Sequence, residues 1–307
     1  MPPDLSVIIP TYNGGSVLRR ALEALRAQDT PPGRFEIIVV DDGSTDGSID
    51  GLTAPAGSPA VHLVRQANRG RAAARNRGAA EARGRVLLFL DADIWATAGL
   101  VSAHLRHHAG ERQLGVQGRS LAHPDSLTTM FMRACNVIPD LTIRRREGLS
   151  PYHVITRNFS IDAEAFRRAG GFDEEFTGYG WEDIELAFRL VRSGITLRYE
   201  PEALAYHYHV QTLQDARAKQ VQSCRGAVYF WEKHGRNRHL GLFLEILPVL
   251  LPLKWLVYRS GIITAILVPV GWLAERARLT IVCGEVYNHL LWRSFYEGVF
   301  EALRHPR

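Results

Sequence analysis

Short aliphatic runs that stop abruptly at polar, mostly acidic loops constrain this chain more than any other feature. Leu5 to Ile9 stops at Pro10, Glu36 to Val40 at Asp41-Asp42-Gly43, and Val86 to Leu90 at Asp91-Ala92-Asp93. Val61 to Val64 reads as a further strand. A run that is apolar throughout is buried on both faces, which is the habit of strands in parallel sheets covered by helices. Helical patterns fall between the runs. Val17, Leu18, Ala21, Leu22 and Leu25 recur at helical spacing, and the Ala- and Arg-rich stretch from Gly70 to Ala82 is closed by Gly84. The expectation is an α/β fold with a mostly parallel central sheet.

In open sheets of this kind, ligands bind beyond the carboxyl ends of the strands. Pro10-Thr11-Tyr12-Asn13, Asp41-Asp42-Gly43-Ser44 and Asp91-Ala92-Asp93 all stand at such ends and should line one crevice. The chain has 307 residues, 46% of them hydrophobic and 22% charged, which suits one large α/β domain with an appendage. Its +5 formal charge suits an anionic partner such as a nucleoside diphosphate, but the charge is scattered and no nucleic-acid-binding signature is present. Cys135, Cys224 and Cys283 are isolated, and Met1 to Ile9 lacks a signal-peptide pattern, so a reducing cytosol is expected.

Residues 110 to 155 show little periodicity and carry Pro124, Pro139, Pro151 and the basic run Arg144 to Arg146. Beyond them, a helix from about Trp181 to Ser193 is expected to place Ile184, Phe188 and Val191 on one face. The composition shifts after residue 210, giving a catalytic domain over 1–210 and a mainly helical region over 211–307. In that region Glu245, Lys254 and Arg259 interrupt the apolar sequence, and the longest uncharged run, Ser260 to Ala274, is short of the roughly 20 residues a spanning helix needs. With Trp255, Tyr258 and Trp272 nearby, helices lying in a membrane interface are expected. The alternative is that they simply cover the catalytic domain.

Several acidic residues have the spacing that metal-assisted transfer requires. Asp91 and Asp93, one residue apart after a buried strand, can share a divalent cation and ribose hydroxyls, although a strand-end turn looks the same in isolation. Asp42 can accept from a base N–H, and an Asp-Gly turn is its plain alternative. Gly178-Tyr179-Gly180-Trp181 leads into Glu182 and Asp183. Acids in a first helical turn are expected from the helix dipole alone, but one here can also be a general base, with Trp181 as a platform for a sugar ring. His207 and His209 fall on one face if the strand from Ala203 continues, and either can join Asp93 at a metal. Arg71 and Arg75, four apart, can reach a phosphate or base, or form a solvated basic face.

Together these segments resemble the family 2 glycosyltransferases. The resemblance rests on Ser6 to Asn13, Glu36 to Asp46, Ala73 to Gly78, Leu88 to Asp93, Gly170 to Asp173 and Trp181 to Leu186, in the family's order, over about residues 4 to 209. It implies a GT-A fold and an inverting, nucleotide-sugar-dependent transferase. It places Pro10, Tyr12 and Asp42 at the nucleotide base, Asp91 on the nucleotide side of the Asp-x-Asp motif and Asp93 at the metal. Asp183 becomes the catalytic base with Glu182 beside it, and His207, or His209 in its stead, the late histidine near the metal. Asp162 departs from the pattern, which usually has a basic residue there.

The implied cofactor is Mn²⁺ or Mg²⁺, the donor a nucleoside-diphosphate sugar and the acceptor a glycan or glycolipid. The implied setting is cell-envelope polysaccharide assembly at the cytoplasmic face of the membrane. A sugar nucleotidylyltransferase is the nearest alternative, but its Gly-rich basic loop is missing, since no basic residue precedes Arg19. A non-catalytic carbohydrate-binding protein would not need a base and a metal site together.

Overall fold

Alternation along the aliphatic strands divides their side chains between two cores. The computed structural model describes residues 2–52, 57–110, 113–135 and 148–304. Strands β1 (Leu5–Thr11), β2 (Phe35–Asp41), β3 (Ala60–Arg65) and β4 (Val86–Leu90) pair in parallel in the order β3-β2-β1-β4. Val7, Ile9, Ile37, Leu88 and Leu90 point to one face, where α1 (Gly15–Arg26) and α3 (Leu100–His108) supply Leu18, Leu22, Leu100 and Val101. Ile8, Leu87 and Phe89 point to the other, against α2 (Arg71–Glu81), α5 (Ala163–Arg168) and α6 (Glu182–Arg192). Phe89 packs between Phe166 and Phe172 with ring centroids 5.2 Å from each. Truncating such a ring to alanine costs about 3–5 kcal/mol.

The sheet does not stop at β4. It continues through β7 (Asn158–Asp162), β6 (Leu114–Ala122), β8 (Thr196–His207) and the short β5 (Ile94–Ala96). The β4–β7, β7–β6 and β8–β5 pairings are antiparallel and β6–β8 is parallel. The mostly parallel α/β sheet read from the sequence is therefore present, with an antiparallel return at its centre. Strand β6 lies within the segment that showed little periodicity, because close packing replaces two of its side chains with hydrogen. A Cβ on Gly115 would sit 2.7 Å from the Phe159 ring, and one on Gly118 only 2.3 Å from the Asn158 amide. The basic run Arg144 to Arg146 lies outside the described residues.

Helix α6 buries a different face from the one expected. Leu186, Ala187 and Leu190 are in the core and Val191 is exposed. The reason is that Glu182 and Glu185 take inward positions. Glu185 is held by both Nε and Nη2 of Arg189, and Glu182 belongs to the site described below. Asp162, the departure noted above, caps α5 by accepting from the N–H groups of Glu164 and Ala165.

A buried polar knot fastens the sheet centre. Asn158 donates to the carbonyls of Arg119 and Ala203 and meets His104 Nε2 at 2.9 Å, while His104 Nδ1 meets Ser160 Oγ at 2.8 Å. Burial drives the His104 pKa down to about 4 and that of His108 down to about 3, so both imidazoles are neutral at pH 7.

The described chain forms two compact units, and all eight strands belong to the first. The second comprises the described parts of 124–139, 178–181 and 210–307, so it takes in two earlier segments as well as the C-terminal region. It contains α4 (Met130–Cys135), α7 (Leu213–Lys233), α8 (Arg238–Phe243), α9 (Leu251–Lys254), α10 (Ile262–Arg276) and α11 (Thr280–Arg304). Thr212 and Asp215 form a reciprocal capping box at the start of α7. Gly298 lets α11 approach α7, since a Cβ there would meet Cys224 Sγ at 2.1 Å. Arg238–Arg259 is long and apolar enough to cross a membrane, with a mean hydropathy of 1.9. Its backbone, however, breaks at Glu245 (φ 58°) into shorter helical pieces.

Candidate active site

The loops at the ends of β1 and β2 are sewn together. The Asp42 N–H donates to the Thr11 carbonyl, the Asn13 N–H to Ser44 Oγ, and the Thr45 N–H to Asn13 Oδ1. Pro10 is buried in β1 opposite Val40, whereas the Tyr12 ring is 54% exposed. The Asp42 carboxylate accepts from Gln66 Nε2, the Arg69 N–H and the Gly70 N–H at 2.8–2.9 Å. It therefore fixes the turn entering α2, and with three donors on two oxygens it retains capacity for one more.

Arg75 is the hub of the site. Gly78 brings α2 so close to β1 that a Cβ there would lie 2.5 Å from Ile8 Cγ2, and this approach carries Arg75 inside, where it is 1% exposed. It is not on a solvated helix face. Its Nη2 donates to Asp91 Oδ1 at 2.7 Å, and its Nη1 lies 3.1 Å from Glu182 Oε1 and 3.5 Å from Asp183 Oδ1. The Phe172 ring covers the guanidinium at 5.5 Å.

One buried guanidinium thus faces three carboxylates. Burial and the neighbouring Glu182 push the Asp183 carboxyl up to about 6, against the pull of Arg75 and of a hydrogen bond from Thr156. Thr156 donates to Asp183 with both its hydroxyl and its backbone N–H. It is fully buried, and no motif or periodicity marks it. The buried Glu182 Oε2 has no partner.

A second cluster stands at the end of β4. The antiparallel β5–β8 ladder sets Ile94 opposite His207, and beyond it the Tyr208 N–H donates to the Asp93 carbonyl. Asp93 Oδ2 then lies 3.1 Å from His207 Nε2 and 3.4 Å from His209 Nδ1, with the two imidazoles stacked at an interplanar angle of 2°. His207 ends β8 and His209 lies two residues beyond it, and both rings reach Asp93. Burial opposes ionisation of Asp93, but the hydrogen bonds from His207 and His209 outweigh it and hold its pKa below the usual carboxylate range.

The donor set fits a divalent cation. One oxygen and two imidazole nitrogens lie within 4.8 Å of one another, and the buried Asp93 Oδ1 has no hydrogen-bond partner. Two imidazoles suit Mn²⁺ better than Mg²⁺.

Arg75, Asp91, Glu182 and Asp183 thus form one cluster, and Asp93, His207 and His209 another, both within the first unit. The boundary between units falls after Trp181, which belongs to the second. There its Nε1 donates to the Ser223 carbonyl at 2.9 Å.

Comparison with known proteins supports this architecture. A family model described as glycosyl transferase family 2 matches residues 6–170, and one described as N-terminal domain of galactosyltransferase matches residues 149–213. Validoxylamine A glucosyltransferase of Streptomyces hygroscopicus subsp. limoneus is 35% identical over 237 residues, covering 66% of this chain and 51% of its own length. The chain therefore spans about half of that relative. The uncharacterized glycosyltransferase YfnE of Bacillus subtilis is 27% identical over 289 residues, covering 78% of this chain and 72% of its own. Among solved structures, the mannosyltransferase PcManGT of Pyrobaculum calidifontis, in complex with GDP-Man and Mn²⁺, superposes with a TM-score of 0.65 at 19% identity, covering 98% of this chain and 88% of that one. That likeness shows the fold, and the matched model covers more than half of the chain: it is a member of glycosyl transferase family 2 with the GT-A fold.

Proposed function

We propose that the protein is an inverting glycosyltransferase that moves a sugar from a nucleoside-diphosphate sugar to an acceptor hydroxyl, with Asp183 as general base. The observation that carries the reading is the state of Asp183. It shares one guanidinium with Asp91 and Glu182 and has its carboxyl raised to about 6. Such a group is largely ionised at pH 7 yet basic enough to accept a proton during attack.

The acceptor oxygen loses its proton to Asp183 as it bonds to the anomeric carbon. The bond from that carbon to the diphosphate oxygen breaks, and the nucleoside diphosphate leaves with the electron pair. A single displacement inverts the anomeric centre. Asp93, His207 and His209 would hold a divalent cation, Mn²⁺ before Mg²⁺, whose charge offsets that of the departing diphosphate. Arg75 holds Asp91 and Glu182 in register and keeps Asp183 from rising further. Pro10, Tyr12, Asp42 and Asp91 are assigned to the nucleotide, and Trp181 to a sugar ring. Family membership leaves the nucleotidylyltransferase and binding-only readings without support.

The acceptor is assigned as a glycan or glycolipid in envelope polysaccharide assembly, at the cytoplasmic face of a membrane. In the second unit Val249, Leu253, Trp255, Leu256, Ile262, Ile266, Trp272 and Leu273 are all about half exposed or more. Apolar surface on this scale marks an interaction site, and Arg276 stands over the Trp272 ring at 4.0 Å, as expected at a headgroup boundary.

The test of the reaction is Asp183→Asn assayed with a panel of UDP-, dTDP- and GDP-sugars and Mn²⁺. Transfer should fall by about 10²–10⁴-fold while nucleotide binding persists. Transfer at the original rate removes Asp183 from its role.

A further inference from the structure

The second unit contains a cavity of about 290 Å³ of whose lining the reaction scheme above uses Trp181 alone. Helix α11 forms one wall with Asn288, Leu291, Trp292 and Phe295, at the i, i+3, i+4, i+7 spacing of a single helix face. Helix α7 contributes Gln220 and Ser223, one turn apart, and Trp181 completes the lining.

Three observations define what this cavity takes. First, none of the lining side chains is charged, so a diphosphate or a carboxylate would lie there uncompensated. Secondly, it combines two indoles with two amides, and the Gln220 and Asn288 side chains make no hydrogen bond among the described residues. An amide wall beside an aromatic face is the chemistry that receives a pyranose, with hydroxyls on the amides and the C–H face on the ring. An alkyl chain would instead strip water from both amides without replacing it.

Thirdly, both rings are fixed in advance. Trp181 has φ of 77°, a conformation that a bulky residue keeps only where its surroundings impose it, and its Nε1 is tied to the Ser223 carbonyl. Trp292 is braced by Tyr296 at 5.9 Å, with the Lys254 ammonium 5.8 Å from its ring. Lys254 in turn is paired with Glu245. Rings held in this way lose little freedom when a ligand binds.

We infer that this cavity is a binding subsite for one neutral pyranose unit, formed by Trp181, Trp292, Gln220 and Asn288. Its assignment to the acceptor rather than the donor rests on the transferase reading above. The binding itself does not.

The test titrates the full chain with the methyl glycosides of glucose, galactose and mannose, followed by tryptophan fluorescence, and repeats the titration with decanoate. At least one glycoside should saturate the signal. Asn288→Ala and Gln220→Ala should each weaken it tenfold or more, with unchanged melting temperature and unchanged UDP or GDP binding. Asp183→Asn should leave it intact, so failure of the base assignment cannot be mistaken for failure of the subsite. No saturable binding by any of the three glycosides overturns the inference, as does binding indifferent to both amide variants, or decanoate binding in the glycosides' place.

Discussion

Thr156 meets both oxygens of Asp183: its hydroxyl donates to Oδ1 at 2.5 Å and its backbone N–H to Oδ2 at 3.2 Å. A donor to a carboxylate stabilises the anion and lowers its pKa. Thr156→Val removes the hydroxyl, keeps the N–H and preserves the side-chain volume. A hydrogen bond to a charged group is worth about 1.5–3 kcal/mol, or roughly one to two pKa units. The acid limb of kcat/KM for transfer should therefore move from near pH 6 to between about 7 and 8. The check is a pH–rate profile of both proteins, and coincident acid limbs would break the link between Thr156 and the base.

The same carboxyl affects stability with a definite sign. Its folded pKa, about 6, lies above the ordinary aspartate value of 3.8. The folded state therefore binds the extra proton between those limits and loses stability as pH rises through the window. His104 and His108 act oppositely: their depressed folded pKa values remove stability as pH falls below the ordinary histidine value of 6.5. The wild-type slope mixes the two effects, but the difference from Asp183→Asn isolates the first. The variant should be the more stable at pH 7.5, by about 1–3 kcal/mol, with the gap closing toward pH 4. Urea unfolding at several pH values measures this.

Arg75 faces three carboxylates, of which Glu182 also has Arg71 Nε at 4.0 Å, and the Arg75 Nε has no hydrogen-bond partner. Arg75→Met keeps the stem but takes the guanidinium from Asp91 and Asp183 and leaves Glu182 only the more distant Arg71. Breaking a buried pair from one side costs about 3–5 kcal/mol. Arg75→Lys should recover only part of this, since an ammonium cannot reach Asp91 and Glu182 as a fork. The order of stability should be wild type, Lys, then Met, and a Met variant as stable as wild type would refute the hub role.

The Asp93 cluster is tested by direct metal titration. Losing a residue that merely orients a ligand typically costs 10–100-fold in metal affinity. Asp93→Asn, His207→Ala and His209→Ala should each weaken Mn²⁺ binding by at least about tenfold in isothermal titration. Because both histidines stand within 3.4 Å of the same carboxylate oxygen, neither variant should be silent. If His209→Ala binds as wild type does, the set shrinks to Asp93 and His207.

The order of strands and acidic loops was legible in the sequence because continuous aliphatic runs leave a parallel sheet few alternatives. Alternation paired His207 with His209 only if the strand continued; β8 ends at His207, yet both rings reach Asp93. Arg75, Thr156 and β6 were hidden by long-range packing. Nothing local says that Gly78 draws α2 onto Ile8, which takes Arg75 inside, or that Asn158 leaves no room for a side chain at Gly118 of β6. Thr156 enters the site from 27 residues before Asp183, and a lone threonine carries no periodic signal. On α6 the hydrophobic pattern suggested the wrong face, because two inward glutamates occupy positions that apolar residues usually mark.

The exposed apolar surface of the second unit predicts binding to anionic lipid. Leu253, Ile266 and Trp272 are each more than half exposed, and Arg259, Arg276 and Arg278 are exposed near them in sequence. Full burial of one such aliphatic side chain contributes about 1.5–3 kcal/mol. Leu253→Glu or Ile266→Glu should therefore weaken binding to phosphatidylcholine–phosphatidylglycerol vesicles by roughly 10–100-fold in co-sedimentation, with transfer to a soluble acceptor unchanged. Removing the phosphatidylglycerol should weaken binding further, because the arginines then lose their partner charge. A helix lying in the interface is released from native membranes by high salt or mild alkali, whereas a spanning one is not. Retention through both treatments, with release only by detergent, would show that Arg238–Arg259 crosses the bilayer despite the break at Glu245.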